Sequence, residues 1–215
     1  MDWTLILDFD GTIIKENTWQ LMLKKHNLPG SKFHEKYEAA HHKGAPDSEL
    51  YKIIANWTAD DAGKIHAVMT DESLKSVLAN MKFTAGFEDF MKSHPKKFGY
   101  VAFLSGGFPP LVQKVALRYG VDSYVPQYTV HGSEIKVTHA ILGSTKKKLI
   151  EGLGRDGRVI YVADDPIKGY ESSDYGPNVL RIYMDGEDNP GPTVHNFHEL
   201  GELVDKIMAT PDKYF

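Results

Sequence analysis

The sequence predicts an α/β protein, and three observations support this fold class. A short apolar run, Leu5–Leu7, is followed directly by Asp8-Phe9-Asp10-Gly11-Thr12, which indicates a buried strand that ends in a polar loop. From Thr84 onward, strand-like and helix-like segments alternate, as is typical of a parallel sheet with helical crossovers. Residues 16–82, between these two parts, show helical patterns and no convincing strand. We therefore expect a parallel sheet with a small all-helical segment inserted after the first strand.

Turn residues and apolar spacing divide both parts into predicted elements. In the helical segment, the predicted helices run from Thr18 (as N-cap) to His26, around Tyr37, from Ser48 to Trp57, from Thr58 to Met69, and from Asp71 or Ser73 to Met81. After it come a helix at Thr84–His94, a strand at Gly99–Leu104, a helix at Pro109–Tyr119, a hairpin within Val125–Val137, a helix at Ser144–Leu153, strands at Arg158–Ala163 and Val179–Met184, and a helix at His198–Met208.

Composition sets bounds on function. The chain has 215 residues, of which 41% are apolar and 25% charged, with a net charge of −4 and no cysteine. The absence of cysteine excludes disulfides, thiolate catalysis and zinc–thiolate sites. The slight negative charge gives no electrostatic basis for binding nucleic acid or an anionic membrane. There is no signal-peptide pattern and no apolar run of ~18 residues, so we expect a cytoplasmic protein.

Asp8 and Asp10 are the first candidate site residues. Side chains alternate along an extended chain, so both carboxylates should point to one side and Phe9 to the other. They should lie at the carboxyl end of a buried strand, where open α/β sheets bind their ligands. Two carboxylates this close repel each other, and a divalent cation bound through oxygen ligands would relieve the repulsion.

Three further patterns lie at predicted strand ends or helix starts. Ser105-Gly106-Gly107 offers a hydroxyl and backbone amides that can hold an oxyanion ahead of a helix. Asp164-Asp165 ends another strand and can supply oxygen ligands to a cation. Lys146-Lys147-Lys148 opens a helix and can neutralise an anion, although a lysine run is also typical of a solvated helix face.

These four motifs, in this order, resemble those of the haloacid dehalogenase-like superfamily, and Phe103–Phe108 in particular resembles its phosphoserine phosphatase-like branch. The resemblance implies a three-layer Rossmann-like parallel sheet core of residues 1–15 and 83–215. It also implies a helical cap of residues 16–82 at the first insertion site. The implied activity is Mg²⁺-dependent hydrolysis of a small phosphomonoester through an aspartyl-phosphate intermediate.

The resemblance also implies a role for each candidate residue. Asp8 would be the nucleophile and Asp10 the general acid and base. The implied phosphate ligands are Thr12, Ser105, Gly106 and Lys146, with Lys147 as the alternative to Lys146. The implied Mg²⁺ ligands are Asp8, Asp10 through its backbone carbonyl, and Asp164, with Asp165 orienting water near the ion.

The sequence departs from these relatives in two places. They usually have Gly before the metal-binding Asp and a second acid four residues after it, whereas this chain has Ala163 and Lys168. A variant with neighbouring acids exists, and Asp164-Asp165 matches that form. Phosphoserine-specific relatives use a cap Arg to bind the substrate carboxylate, but this chain has no Arg before Arg118, which argues against L-phosphoserine. Glu16-Asn17 matches an acidic-amide pair at the cap entrance of relatives, or is a polar hinge.

Two alternatives to a phosphatase remain open at this point. A phosphotransferase would pass the same aspartyl-phosphate to an acceptor other than water. A non-catalytic relative would bind phosphate or metal without turnover. A dehalogenase is disfavoured by Asp10, because dehalogenation needs no acid for the leaving group. We expect a small phosphorylated metabolite as the partner and a monomer or a homodimer as the assembly.

Overall fold

A six-stranded parallel sheet forms the centre of the protein. The computed structural model describes residues 3–25, 31–60, 70–131, 134–164, 175–186 and 189–215. In chain order, its strands are β1 (Trp3–Leu7), β2 (Tyr100–Leu104), β3 (Asp122–Tyr124), β4 (Gln127–His131), β5 (Glu134–His139), β6 (Arg158–Ala163), β7 (Val179–Met184) and β8 (Thr193–Val194). The sheet order is β3-β2-β1-β6-β7-β8, while β4 and β5 form a separate antiparallel hairpin.

β1 lies in the middle of the sheet, and its neighbours set the position of the loops that follow. Leu7 pairs with Phe103 of β2 on one side and with Val162 of β6 on the other, both in parallel. Leu5 and Leu7 pack into one core layer and Ile6 into the opposite one, as the two-residue period of a strand requires. Because these strands run in parallel, the loops after them meet at one edge of the sheet.

Helices cover both faces of the sheet. They are α1 (Thr18–Lys25), α2 (Ser31–His42), α3 (Asp47–Asp60), α4 (Asp71–Asn80), α5 (Phe87–Ser93), α6 (Pro109–Tyr119), α7 (Gly143–Leu153) and α8 (Phe197–Ala209). α5, α6 and α8 bury apolar side chains in the layer that contains Leu5 and Leu7. α7 buries Ile150 in the layer that contains Ile6. The predicted three-layer α/β fold is thereby confirmed.

The inserted segment between Ile14 and Phe83 carries α1 to α4, and a bridge joins these two residues at its ends. α1 and α4 bury Met22 and Leu74 in the main core cluster. α2 and α3 instead pack on the β4–β5 hairpin and the segment after it, where Leu50 is fully buried in a separate small cluster. No helix in the part of the chain that the structure describes is long and apolar enough to cross a membrane.

Some local predictions were wrong. The N-cap of α1 is Asn17 and not Thr18, because the Asn17 Oδ1 accepts hydrogen bonds from the backbone N–H groups of Trp19 at 3.0 Å and Gln20 at 3.2 Å. Residues 58–60 belong to α3 instead of starting a new helix, and 61–69 lie outside the described residues. α5 begins only at Phe87, after Gly86 with a φ of 80°.

The two edge strands, β3 and β8, were not predicted either. They span three and two residues, which is too short for an alternating pattern to be recognised.

Candidate active site

The candidate site begins with a carboxylate–ammonium pair at the end of β1. Asp8 is only 6% exposed, and its backbone N–H donates to the carbonyl of Val162 at 2.8 Å. Lys146 lies in the first turn of α7, and its Nζ donates to the Asp8 Oδ2 at 3.0 Å. The Lys147 Nζ instead lies 3.7 Å from the Glu151 Oε1. Of the two candidate lysines, the structure therefore brings Lys146 to Asp8.

Asp10 lies beside this pair and is partly exposed. Its Oδ2 accepts a hydrogen bond from the Thr18 hydroxyl at 3.0 Å, and its Oδ1 is buried with no hydrogen-bond partner among the described residues. Burial, followed by repulsion from Asp8, raises the pKa of Asp10 from 3.8 to about 7, and the hydrogen bonds from Thr18 partly offset that rise. A carboxyl group with a pKa near neutrality can both donate and accept a proton at physiological pH.

Thr18 joins the two loops of the site, and sequence reasoning missed it. Its hydroxyl donates to Asp10 and accepts from the backbone N–H of Phe108 at 2.7 Å, so its side chain is fully buried between them. A threonine at the first position of a helix is common, and it is eight residues away from Asp10. No local pattern in the sequence distinguishes this Thr from an ordinary N-cap.

The Ser105-Gly106-Gly107 loop follows β2 at the same edge of the sheet. The Ser105 Oγ accepts a hydrogen bond from the Gly107 N–H at 2.9 Å, and Ser105 is 1% exposed. The Gly106 carbonyl accepts from the Trp19 Nε1 at 3.2 Å. A Cβ on Gly107 would lie 2.4 Å from the Thr18 Oγ1 and 2.7 Å from the Asp10 Oδ2. Gly107 was predicted as part of the oxyanion loop, but its close packing against Asp10 and Thr18 was not predicted.

The remaining predicted residues near the first motif have different surroundings. Thr12 is fully buried, its carbonyl accepts from the Thr84 hydroxyl at 2.7 Å, and its own hydroxyl has no partner among the described residues. Glu16 is exposed. Asn17 uses its side-chain oxygen as the N-cap of α1. The pair therefore lies at the start of α1, where the chain enters the helical segment.

The donors at this edge fit a Mg²⁺ ion. Asp8 and Asp164 follow the neighbouring strands β1 and β6, which pair in parallel up to Leu7 and Val162. Asp164 also lies against Gly11, since a Cβ there would be 2.2 Å from the Asp164 Oδ2. No group of three acidic or histidine side chains suited to a metal occurs in the described residues. Two carboxylates and the Asp10 carbonyl would supply the protein's share of an oxygen shell, which suits a hard cation.

Asp165 and Lys168, which follow Asp164 in the chain, lie outside the described residues. Asp164 itself is held at the end of β6 by Arg181, whose Nη2 donates to the Asp164 carbonyl at 3.2 Å. Arg181 is 8% exposed, and its guanidinium lies 4.4 Å from the ring centroid of Tyr183. Arg181 thus fixes the backbone next to a predicted metal ligand.

Comparisons with solved structures show where this fold recurs. The chain is similar to a phospho-aspartyl intermediate analogue of phosphoserine phosphatase, with 14% identity, a TM-score of 0.64, and coverage of 93% of this chain and 97% of that one. It is similar to phosphoserine phosphatase from T. onnurineus in complex with NDSB-201, with 16% identity, a TM-score of 0.62, and coverage of 95% and 94%. It is also similar to a phosphoserine phosphohydrolase-like protein from Francisella tularensis subsp. tularensis SCHU S4, with 19% identity, a TM-score of 0.60, and coverage of 95% and 100%.

At these identities the structural matches establish a shared fold. No curated protein sequence matches the chain. The family model for haloacid dehalogenase-like hydrolases matches residues 4–172, which include Asp8, Ser105, Lys146 and Asp164. That match spans most of the 215 residues and contains all four motifs. The chain belongs to the haloacid dehalogenase-like hydrolases.

Proposed function

We propose that this hydrolase is a phosphatase that cleaves a small phosphomonoester through an aspartyl-phosphate on Asp8. The observation that supports this most directly is the contact of the Lys146 Nζ with the Asp8 Oδ2 at 3.0 Å, beside Asp10, whose pKa is raised to about 7. A carboxylate nucleophile, a fixed cation and a nearby acid are the groups that two-step phosphoryl transfer needs. The small phosphorylated metabolite and the cytoplasmic location remain predictions.

In the first step, an oxygen of Asp8 attacks the phosphorus atom in line with the ester bond. The bond between phosphorus and the leaving oxygen breaks, and Asp10 gives its proton to that oxygen. Lys146 and the Ser105-Gly106 loop stabilise the negative charge on the phosphoryl oxygens. The product alcohol leaves, and the phosphoryl group stays on Asp8.

In the second step, water displaces Asp8 from the phosphoryl group. Asp10, now ionised, accepts a proton from the water molecule as it attacks phosphorus. The acyl-phosphate bond breaks, inorganic phosphate leaves, and Asp10 is again protonated. The raised pKa of Asp10 suits this exchange of roles, because neither protonation state is strongly disfavoured near pH 7. Thr18 holds the Asp10 Oδ2 in place during both steps.

Asp8, Asp164 and the backbone carbonyl of Asp10 would hold the Mg²⁺ ion. When bound, the ion supplies positive charge beside the phosphoryl group and screens the repulsion between Asp8 and the incoming phosphate. Asp165 is proposed to orient water near the ion.

We assign residues 16–82 to a cap over the site and the remaining residues to the catalytic core. Glu16 and Asn17 lie at the entrance to this segment, and Trp19, two residues on, contacts the Gly106 carbonyl. A cap of this kind excludes water and contacts the leaving group. Because the segment contains no Arg, a leaving group without a carboxylate is favoured over L-phosphoserine.

The test is phosphate release from a broad panel of phosphomonoesters, measured with Mg²⁺ and after chelation by EDTA. Wild type should release phosphate only with Mg²⁺, and Asp8→Asn should release none. Turnover that survives in Asp8→Asn would exclude Asp8 as nucleophile. Cleavage of the ester that requires an added alcohol acceptor, with the phosphoryl group recovered on that alcohol and not as inorganic phosphate, would instead identify a phosphotransferase. Phosphate binding without any turnover would identify a non-catalytic relative.

A further inference from the structure

α3 and α7 are joined by a carboxylate from a distant part of the chain. Asp47, the first residue of α3, accepts through its Oδ2 a hydrogen bond from the Ser144 N–H at 3.3 Å. The Ser144 hydroxyl donates to the same oxygen. Ser144 is the second residue of α7, so Asp47 contacts the first turn of that helix from outside.

The first turn of α7 has no capping group of its own. Its N-cap residue, Leu142, makes no side-chain capping bond, and the turn contains no acidic residue. The first N–H groups of a helix lack partners within the helix, and its N-terminus carries a partial positive charge. Lys146, Lys147 and Lys148 add further positive charge there. The carboxylate of Asp47 supplies both the missing acceptor and a compensating negative charge.

Independent packing holds Asp47 at this position. Leu50, one turn further along α3, is fully buried against Val137 and Leu142. Tyr51 donates from its hydroxyl to the Val137 carbonyl at 3.3 Å. α3 therefore packs on β5 and on the residue that precedes α7, and this packing places Asp47 over the α7 N-terminus.

The same turn of α7 carries the cation of the candidate site. The Lys146 backbone N–H donates to the Leu142 carbonyl at 2.8 Å, which makes it part of the turn that Asp47 caps. The Lys146 side chain reaches from that turn to the Asp8 Oδ2. Asp47, Ser144, Lys146 and Asp8 thus form a continuous chain of contacts from the helical segment to the proposed nucleophile.

We propose that Asp47 is a positioning residue of the active site, which caps α7 in trans and thereby fixes Lys146 against Asp8. The proposal rests on the proposed phosphatase function for its effect on rate. According to this proposal, full activity requires α3 to stay packed on the β4–β5 hairpin. Movement of α3 away from it would remove the cap from the turn that carries Lys146.

The kinetic test uses p-nitrophenyl phosphate with Mg²⁺ and compares Asp47→Ala with two matched variants. Asp47→Ala should lower kcat by about 3- to 10-fold, since small misplacements of a charge-stabilising group are costly. Asp47→Asn, which keeps an acceptor oxygen, should recover part of that loss. Tyr51→Phe removes a hydrogen bond from the same interface without touching α7 and should keep kcat within about twofold of wild type, as expected for an isolated hydrogen bond outside the site.

A double-mutant cycle separates positioning from general damage. In a Lys146→Met background, Asp47→Ala should change the residual kcat by less than about twofold, because the group through which Asp47 acts is absent. An undiminished loss in that background would overturn the proposal. So would wild-type kcat in Asp47→Ala.

Hydrogen exchange gives a measurement that needs no turnover. The amides of residues 143–147 should exchange about 3- to 10-fold faster in Asp47→Ala, as loss of a capping group predicts, and at the wild-type rate in Tyr51→Phe. Unchanged exchange in Asp47→Ala would overturn the proposal. If wild type hydrolyses no ester, the proposed function fails, and the Asp47 proposal is then decided by this exchange alone.

Discussion

Gly107→Ala should disable the candidate site with a single added methyl group. The new Cβ would lie 2.4 Å from the Thr18 Oγ1, 2.7 Å from the Asp10 Oδ2 and 2.9 Å from the Ser105 Oγ, whereas real Cβ contacts essentially never fall below 3.0 Å. At least one of these groups must therefore move by about 0.6 Å. Because a displacement of about 1 Å in an active site can cost about 10²-fold, we expect kcat/KM to fall by about 10- to 100-fold.

This variant should remain folded despite its loss of activity. Overpacking of this kind costs about 1–3 kcal/mol, which a folded domain of ordinary stability can tolerate. Gly107 has no positive φ, so the effect is steric and not a backbone penalty. Circular dichroism and thermal unfolding would establish that the variant is folded, and p-nitrophenyl phosphate hydrolysis would give kcat/KM.

Gly152→Ala is the matched control for Gly107→Ala. Gly152 lies near the end of α7, and a Cβ there would meet nothing within 4 Å. Alanine is a better helix former than glycine, so this change should raise the free energy of unfolding by up to about 0.5–1 kcal/mol and leave kcat/KM unchanged. Near-normal kcat/KM in a folded Gly107→Ala would refute the packing of Asp10, Thr18 and Ser105 described above.

Two further predictions follow from the site and from the core. Lys146→Met should reduce kcat/KM by more than about 10²-fold, because it removes the cation that contacts Asp8. Lys147→Met removes a solvent-accessible ion pair with Glu151 and should change kcat/KM by less than about twofold. Equal losses in the two variants would contradict the assignment of Lys146. Burial, followed by the charge of Lys97, lowers the pKa of His94, while Asp205 and backbone hydrogen bonds to Gly201 and Phe90 offset this in part.

The direction of the pH effect on the free energy of unfolding depends on whether the folded or the unfolded chain binds a proton on His94 more tightly. Below pH 6.5 the unfolded chain protonates His94 more readily than the folded protein does, so the free energy of unfolding should fall as the pH drops through 6.5. Above pH 6.5, His94 should add nothing to the pH dependence of the free energy of unfolding. Urea unfolding at pH 7 and pH 5 should show a smaller drop for His94→Gln than for wild type, and an equal drop would contradict the prediction.

Local sequence patterns were sufficient for the fold class because the central strands β1 and β6 contain short, fully buried apolar runs. The runs Leu5–Leu7 and Val159–Ala163 are apolar and are followed by acids, so each pattern gives both a strand and its polar end. Parallel pairing then brings Asp8 and Asp164 to one edge. The fold and the family are thereby confirmed, while the catalytic and metal-binding roles of these residues stay proposals.

The contacts that the sequence did not predict join segments that are distant in the chain. Thr18 meets Phe108, and Asp47 meets Ser144, across 90 and 97 residues respectively. Each of these residues also matches a common local role, since Thr and Asp both occur frequently at helix N-termini. The local pattern therefore explains why that residue type occurs there, but it gives no indication of the distant contact.

Asp10 shows why such contacts affect function beyond stability. Its carboxylate belongs to the loop after β1, its hydrogen-bond donor Thr18 belongs to α1, and the backbone that Thr18 accepts from belongs to the loop after β2. A shift of α1 would therefore change the surroundings of the proposed acid and of the phosphate loop together. Lys146 depends in the same way on α7, whose first turn is capped from α3. The proposed acid Asp10 and the proposed cation Lys146 thus both depend on helices of the inserted segment: α1 contacts Asp10 directly, and α3, packed on the hairpin, contacts the turn that carries Lys146.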